Sequence, residues 1–200
     1  MNLIIEKLDI NEYLKPSEII DFENEAITQY SMSLVHGINS EEARIKIIYE
    51  FVRDKIHHTF DINGNIITCK ASDVLQYGQG ICYAKSHLLA ALLRVMGIPT
   101  GFCYQKLILS DEIPKIVLHG LNAAYIRSLA RWVRLDARGN KEGVDAQFSL
   151  SKEMLAFPVR SEFGEVDGDI VYAEPSANVI TALKRSTNIR ELTENLPDEI

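Results

Sequence analysis

Cys82 stands in the stretch Tyr-Gly-Gln-Gly-Ile-Cys-Tyr at residues 77–83, directly before a long apolar run that ends at Gly97. A thiol in the first turn of a helix meets unpaired N–H groups and the positive end of the macrodipole, and both favour the thiolate. His119 and Asp136 follow in that order, in Leu-His-Gly-Leu-Asn at 118–122 and Arg-Trp-Val-Arg-Leu-Asp at 131–136. A cysteine nucleophile, a histidine that takes and returns its proton, and a carboxylate that orients the ring make a Cys-His-Asp catalytic constellation. Gly78 and Gly80 precede the cysteine and allow the backbone to approach a bound acyl group. An oxyanion hole needs preorganised donors, and the Cys82 backbone N–H is one candidate. The side-chain amide of Gln76 or Gln79 is the other. Asp145 is a rival for the third position of the triad, since it opens another extended segment. Each residue also has a plain reading: Cys82 a small buried hydrophobe, His119 a core histidine, Asp136 a cap for the turn at Arg138-Gly139.

The remaining candidates are weaker. His57-His58 reads as favourable charge and hydrogen bonding at a helix end. His87 lies more than one turn beyond Cys82 and off its face. Cys69 and Cys103 read as core thiols. No cysteine or histidine pair has zinc-site spacing and no Gly-rich phosphate loop is present, so neither a metal nor another cofactor is expected.

Helical periodicity and caps predict helices over residues 17–34 and 40–56, the first capped by Ser17, the second by Asn39 or Ser40. The second would bury Ala43, Ile47, Ile48 and Phe51. Residues 66–68 read as a short strand. Residues 81–96 are apolar nearly all round, which predicts a central buried helix stopped by Gly97-Ile98-Pro99. Three extended segments follow at 100–109, 116–126 and 131–136, with a fourth at 144–148, joined by short connections that imply antiparallel pairing. On the second, His119, Leu121, Ala123 and Tyr125 share a face; on the third, Trp132, Arg134 and Asp136 do. A helix is expected at 176–185 and a loose tail from Glu194. Helices first and an antiparallel sheet after define an α+β fold.

The chain has 200 residues with 46% hydrophobic composition, enough for one domain with a sizeable core. Its formal net charge of -7 argues against a nucleic-acid or anionic-membrane partner. No apolar run reaches the length of a membrane span. The N-terminus lacks the basic start and cleavage site of a signal peptide. Three cysteines at scattered spacing suit a reducing compartment, so a cytoplasmic location is expected.

The segment from Gly78-Gln-Gly-Ile-Cys82 to Gly97-Ile-Pro99 resembles the nucleophile segment of the transglutaminase-like superfamily, with His119, Trp132 and Asp136 following in the family's order. The resemblance covers roughly residues 45–148. It implies a papain-like core, a cysteine-bearing helix on an antiparallel sheet that carries the histidine and aspartate, with residues 1–44 and 149–200 as flanks of one domain. It also implies amide hydrolysis or acyl transfer through a thioester acyl-enzyme, acting on a peptide or a small amide or acyl substrate. The chain departs from the family's calcium-dependent animal crosslinking enzymes, having neither their extra β domains nor evident calcium sites. Two alternatives remain: an inactive peptide-binding scaffold of the same fold, and an acyltransferase using an acyl-coenzyme donor.

Overall fold

The helix that begins at Cys82 forms the axis of the fold. In the computed structural model, which describes residues 2–110, 112 and 114–200, every residue from Tyr83 to Arg94 is buried. The elements in chain order are β1 (Ile4–Ile5), α1 (Glu25–Leu34), α2 (Glu41–Lys55), β2 (His57–His58), α3 (Ala71–Tyr77), β3 (Gln79–Gly80), α4 (Cys82–Val95), β4 (Thr100–Ile108), β5 (Ile116–Ile126), β6 (Arg131–Leu135), β7 (Val166–Asp167), β8 (Ile170–Val171), α5 (Ala177–Arg185) and α6 (Ile189–Glu194). Helices α1, α2 and α3 and strand β5 all pack against α4. An element enclosed on all sides must be apolar all round, and this explains why α4 shows no narrow stripe.

The main sheet runs β6-β5-β4-β7, antiparallel throughout, with Gln105 opposite His119 and Asn122 opposite Leu135. Strand β5 is covered on both faces. Leu118, Ala124 and Ile126 join the main core, while Leu121 and Ala123 join a second cluster with Tyr13, Cys103 and Val171. The Tyr13 hydroxyl donates to the Val171 carbonyl at 3.0 Å, and β1 pairs parallel with β8. The N-terminal strand is therefore held by the segment at residues 170–171. The C-terminal segment is docked too. Leu192 and Leu196 are buried, and the Pro197 carbonyl accepts the Leu118 N–H at 2.7 Å. This corrects the expected loose tail.

Several sequence expectations shift for local reasons. Residues 17–24 stay outside α1, whose cap is Asn24, because they serve another helix. Asp21 accepts from the Ser72 N–H at 3.0 Å and its hydroxyl at 2.5 Å, capping α3 from a distance, and Ile19 accepts the Ala71 N–H. The buried face of α2 is Ile45, Ile48, Tyr49 and Val52; Ala43, Ile47 and Phe51 are half-buried at the rim, where Phe51 meets Tyr30. The 66–68 segment forms no strand; instead the Thr68 hydroxyl donates to the Gln79 carbonyl at 3.0 Å. Among the described residues, 144–148 makes only a bridge from Val144 to Lys141, and β7 is the strand beside β4. His57 and His58 form β2, parallel to β3, rather than ending a helix. No helix among the described residues is long and apolar enough to cross a membrane.

Candidate active site

Gly120 explains how α4 reaches the sheet beside His119. A Cβ at this position would lie 2.8 Å from Tyr83 Cδ1, so only glycine admits the ring of the residue after Cys82. The Tyr83 hydroxyl then donates to the Leu118 carbonyl at 2.5 Å, and Asn122 Nδ2 donates to the Ser86 carbonyl at 3.0 Å. Gly80 performs the same service behind the helix, where a Cβ would meet Ala84 Cβ at 2.9 Å. Lys85, fully buried, donates from Nζ to the Arg53 carbonyl at 3.2 Å and the Ile56 carbonyl at 2.5 Å. It thereby closes the end of α2 and ties it to the first turn of α4. Burial, with the Arg138 charge nearby, pushes the Lys85 ammonium down to about 7.

Cys82 is half-buried and lines a cleft of about 160 Å³ together with His119. His119 Nε2 lies 2.8 Å from Asp136 Oδ2, so Nδ1 is the ring atom left for the cysteine. Burial opposes charge on the ring. The attraction of Asp136, its hydrogen bond and the interaction with the Cys82 side chain prevail and push His119 up to about 10. Asp136 is likewise buried, which alone would raise its pKa. The His119 charge and hydrogen bond, with the N–H groups of Ala156 (2.9 Å) and Arg138 (3.2 Å), hold it below the usual carboxylate range. A carboxylate with its acceptor sites filled in this way is a fixed anion. Cys82 and His119 thus line one cleft, and Asp136 stands behind the His119 ring at hydrogen-bond distance from Nε2.

The other candidates lie elsewhere. Asp145 is exposed and accepts from Gln147 Nε2 at 2.5 Å, so it is not the partner of His119. Gln76 is exposed on α3 and outside the cleft lining. Gln79 Oε1 is enclosed, without a hydrogen-bond partner among the described residues, and a Cβ on Gly64 would lie only 2.4 Å from it. Neither glutamine is among the residues that line the cleft with Cys82. His87 is a core residue, its Nδ1 2.8 Å from the Cys69 carbonyl and its pKa pushed down to about 4 by burial. Burial pushes the Cys69 thiol up to about 11 and the Cys103 thiol up to about 12. No group of three His, Cys, Asp or Glu residues among those described is placed to hold a metal ion.

Four lining residues were not singled out from sequence for this role. His58 enters from β2, and Arg138 enters two residues after Asp136, in a bidentate pair with Asp61. Phe157 stands edge-on to His119, centroids 5.1 Å apart, with the Arg138 guanidinium 5.8 Å from its own centroid. Leu196 closes the far side. Only the His57-His58 pair carried a local signal; Phe157 and Leu196 arrive from remote segments.

The sequence profile of the transglutaminase-like superfamily matches residues 28–137. The chain belongs to this superfamily. The match contains Cys82, His119 and Asp136 and stops short of Phe157 and Leu196. Among solved structures the fold is similar to that of "a Putative Cysteine Protease from Cytophaga hutchinsonii", at TM-score 0.55 and 21% identity over 66% of this chain and 43% of that one. A second, "a putative protease from Parabacteroides distasonis", aligns at TM-score 0.44 and 14% identity over 75% of this chain and 30% of its own. The chain therefore spans under half the length of either. None of the curated proteins matches. Membership in the superfamily and the likeness to the first structure establish a papain-like α+β fold of a cysteine-enzyme family.

Proposed function

We propose that this chain is a cysteine-dependent acyl-transfer enzyme that cleaves an amide bond. The observation that carries the reading is the buried 2.8 Å contact of His119 with Asp136 at a cleft that also exposes Cys82. His119, held protonated by Asp136, and Cys82 form an imidazolium–thiolate pair in which the thiol's proton resides on the ring. The sulfur attacks the amide carbonyl, a C–S bond forms, and the tetrahedral oxyanion collapses as the C–N bond breaks. The imidazolium gives its proton to the leaving amine. Water or an acceptor amine, deprotonated by the neutral ring, attacks the thioester, and the thiolate leaves.

Substrate class follows from the walls. Leu107, Leu109, Val117, Leu118, Phe157 and Leu196 make most of the lining apolar, and about 160 Å³ fits one bulky side chain. The acyl donor is accordingly a peptide or small amide with an apolar side chain beside the scissile carbonyl. The solved relative described as a cysteine protease supports peptide-like substrates.

The test is release of amine from N-acetyl-leucine and N-acetyl-glutamate 4-nitroanilides, with and without hydroxylamine as a competing acceptor. The leucine substrate is expected to turn over at least tenfold faster, Cys82→Ala to abolish release, and hydroxamate to form at the expense of acid. Release that persists in Cys82→Ala refutes the mechanism.

A further inference from the structure

His58 is 7% exposed, and its Nδ1 is enclosed with no hydrogen-bond partner among the described residues. Buried polar atoms are ordinarily paired, so an orphan beside a reactive centre requires an explanation. The ring lines the same cleft as Cys82 and His119. Its backbone is fixed against the segment that leads into the cysteine: the His57 N–H donates to the Gly78 carbonyl at 2.9 Å, the Thr59 N–H to the Gly80 carbonyl at 3.2 Å, and His58 is in register with Gly80. The strand pair therefore sets the His58 backbone beside Gly80, two residues before Cys82 in the chain. The Cys82 amide opens α4, where Ile81 gives no side-chain cap, so its N–H is one of the donors a helix start leaves over.

We propose that His58 is the second oxyanion donor, acting with the Cys82 backbone N–H on the tetrahedral oxygen. This rests on the acyl-transfer reading above and names a residue for a step that the triad alone does not serve. Burial and the neighbouring Arg138 charge push His58 down to about 3, so the ring is neutral across the working pH range and carries one N–H. Placing that proton on Nε2 leaves only a lone pair in the enclosure at Nδ1 and turns the N–H to the cleft. A neutral donor also suits the position, because an imidazolium there would pair with the thiolate and draw it from the carbonyl. The two glutamines read from sequence for this part are disposed otherwise, one on an exposed helix face and one enclosed beside Gly64.

The experiment compares His58→Phe and His58→Leu, which fill the site without a donor, with His58→Gln, which keeps an amide N–H. Two rates are read on each protein: acylation by 4-nitrophenyl butyrate, and alkylation of Cys82 by iodoacetamide across pH. Displacement at iodoacetamide develops no oxyanion, so alkylation reports the nucleophile alone. Loss of one oxyanion donor is expected to slow acylation by roughly 10²–10³ in the Phe and Leu variants, with the alkylation profile unchanged. The Gln variant should recover at least tenfold of that loss. Acylation equal to wild type in Phe or Leu overturns the proposal, and so does alkylation that falls in proportion to acylation, since His58 would then be positioning the thiol. If wild type itself forms no acyl-enzyme, the acyl-transfer reading falls along with this one. If wild type acylates and the variants match it, only the role of His58 falls.

Discussion

Asp136→Asn removes one charge from a buried cluster while keeping its shape. Asp136 is 1% exposed and His119 5% exposed, so solvent screens neither side chain. His119 stands at about 10 because the carboxylate's attraction and hydrogen bond outweigh burial. With a neutral amide in place, burial is opposed only by Cys82, and the ring should titrate in the ordinary range near 6.5 or below. A fall of about 3.5 pH units corresponds to about 5 kcal/mol lost from the charged ring. The assay is NMR titration of the His119 ring in both proteins, alongside acylation kinetics. The sign for stability follows. His119, raised, contributes fully below about 6.5 and loses its contribution as pH rises through about 10. Asp136, lowered, contributes above about 4 and loses its contribution as pH falls through its folded value. The stability gap between wild type and variant should therefore be widest between about pH 4 and 6.5 and close at both ends. Acylation should fall about 10²–10⁴-fold, the loss of a triad orienter. A His119 midpoint that stays above about 9 in the variant would refute the reasoning, since the charge would then not come from Asp136.

Three further outcomes are expected. Gly120→Ala drives a methyl into Tyr83 at 2.8 Å; it should cost about 1–3 kcal/mol in urea unfolding and slow acylation by displacing α4 from His119. Lys85→Met tests opposed slopes: the lowered Lys85 pKa makes stability rise with pH from about 7 upward, while His119 makes it fall from 6.5 to about 10. Removing Lys85 should leave the fall alone, so parallel wild-type and variant stability curves between pH 7 and 10 contradict it. Leu196→Ala, at a side chain 6% exposed that closes the cleft, should cost about 2–3 kcal/mol and raise KM for apolar acyl donors more than it lowers kcat.

The parts of the site legible in the sequence were those written in local pattern. Cys82 showed itself through glycines before it and an unbroken apolar helix after it, and α4 came out nearly to the residue. Strands β4, β5 and β6 stand close to where the pattern puts them; alternation gives the face of His119 on β5 and of Asp136 after β6, and the pairing of the two strands brings them together. The misses were tertiary. Residues 17–24 had helical propensity, but Asp21 is committed to the α3 start and Ile19 to the Ala71 N–H. Helix α3, at seven residues, is too short to display a period. The strand β2 is two residues long and exists only because β3 lies beside it, so His58 looked like the end of a helix. Lys85 carries no signal of its own within a helix apolar nearly all round, although its ammonium closes α2. Phe157 and Leu196 come from segments whose own patterns say nothing about the cleft that they finish. Gln76 is a candidate for the oxyanion hole by sequence, but it lies on α3 with its side chain exposed.

The most direct test of the central claim is intact-mass and peptide mapping of the protein quenched in acid during turnover of 4-nitrophenyl butyrate. The account predicts a single butyryl thioester on Cys82, absent from Cys82→Ala and discharged by hydroxylamine. Cys69 and Cys103, whose pKa values burial pushes up, should carry none. No adduct on wild type, or an adduct that persists in Cys82→Ala, would contradict the account.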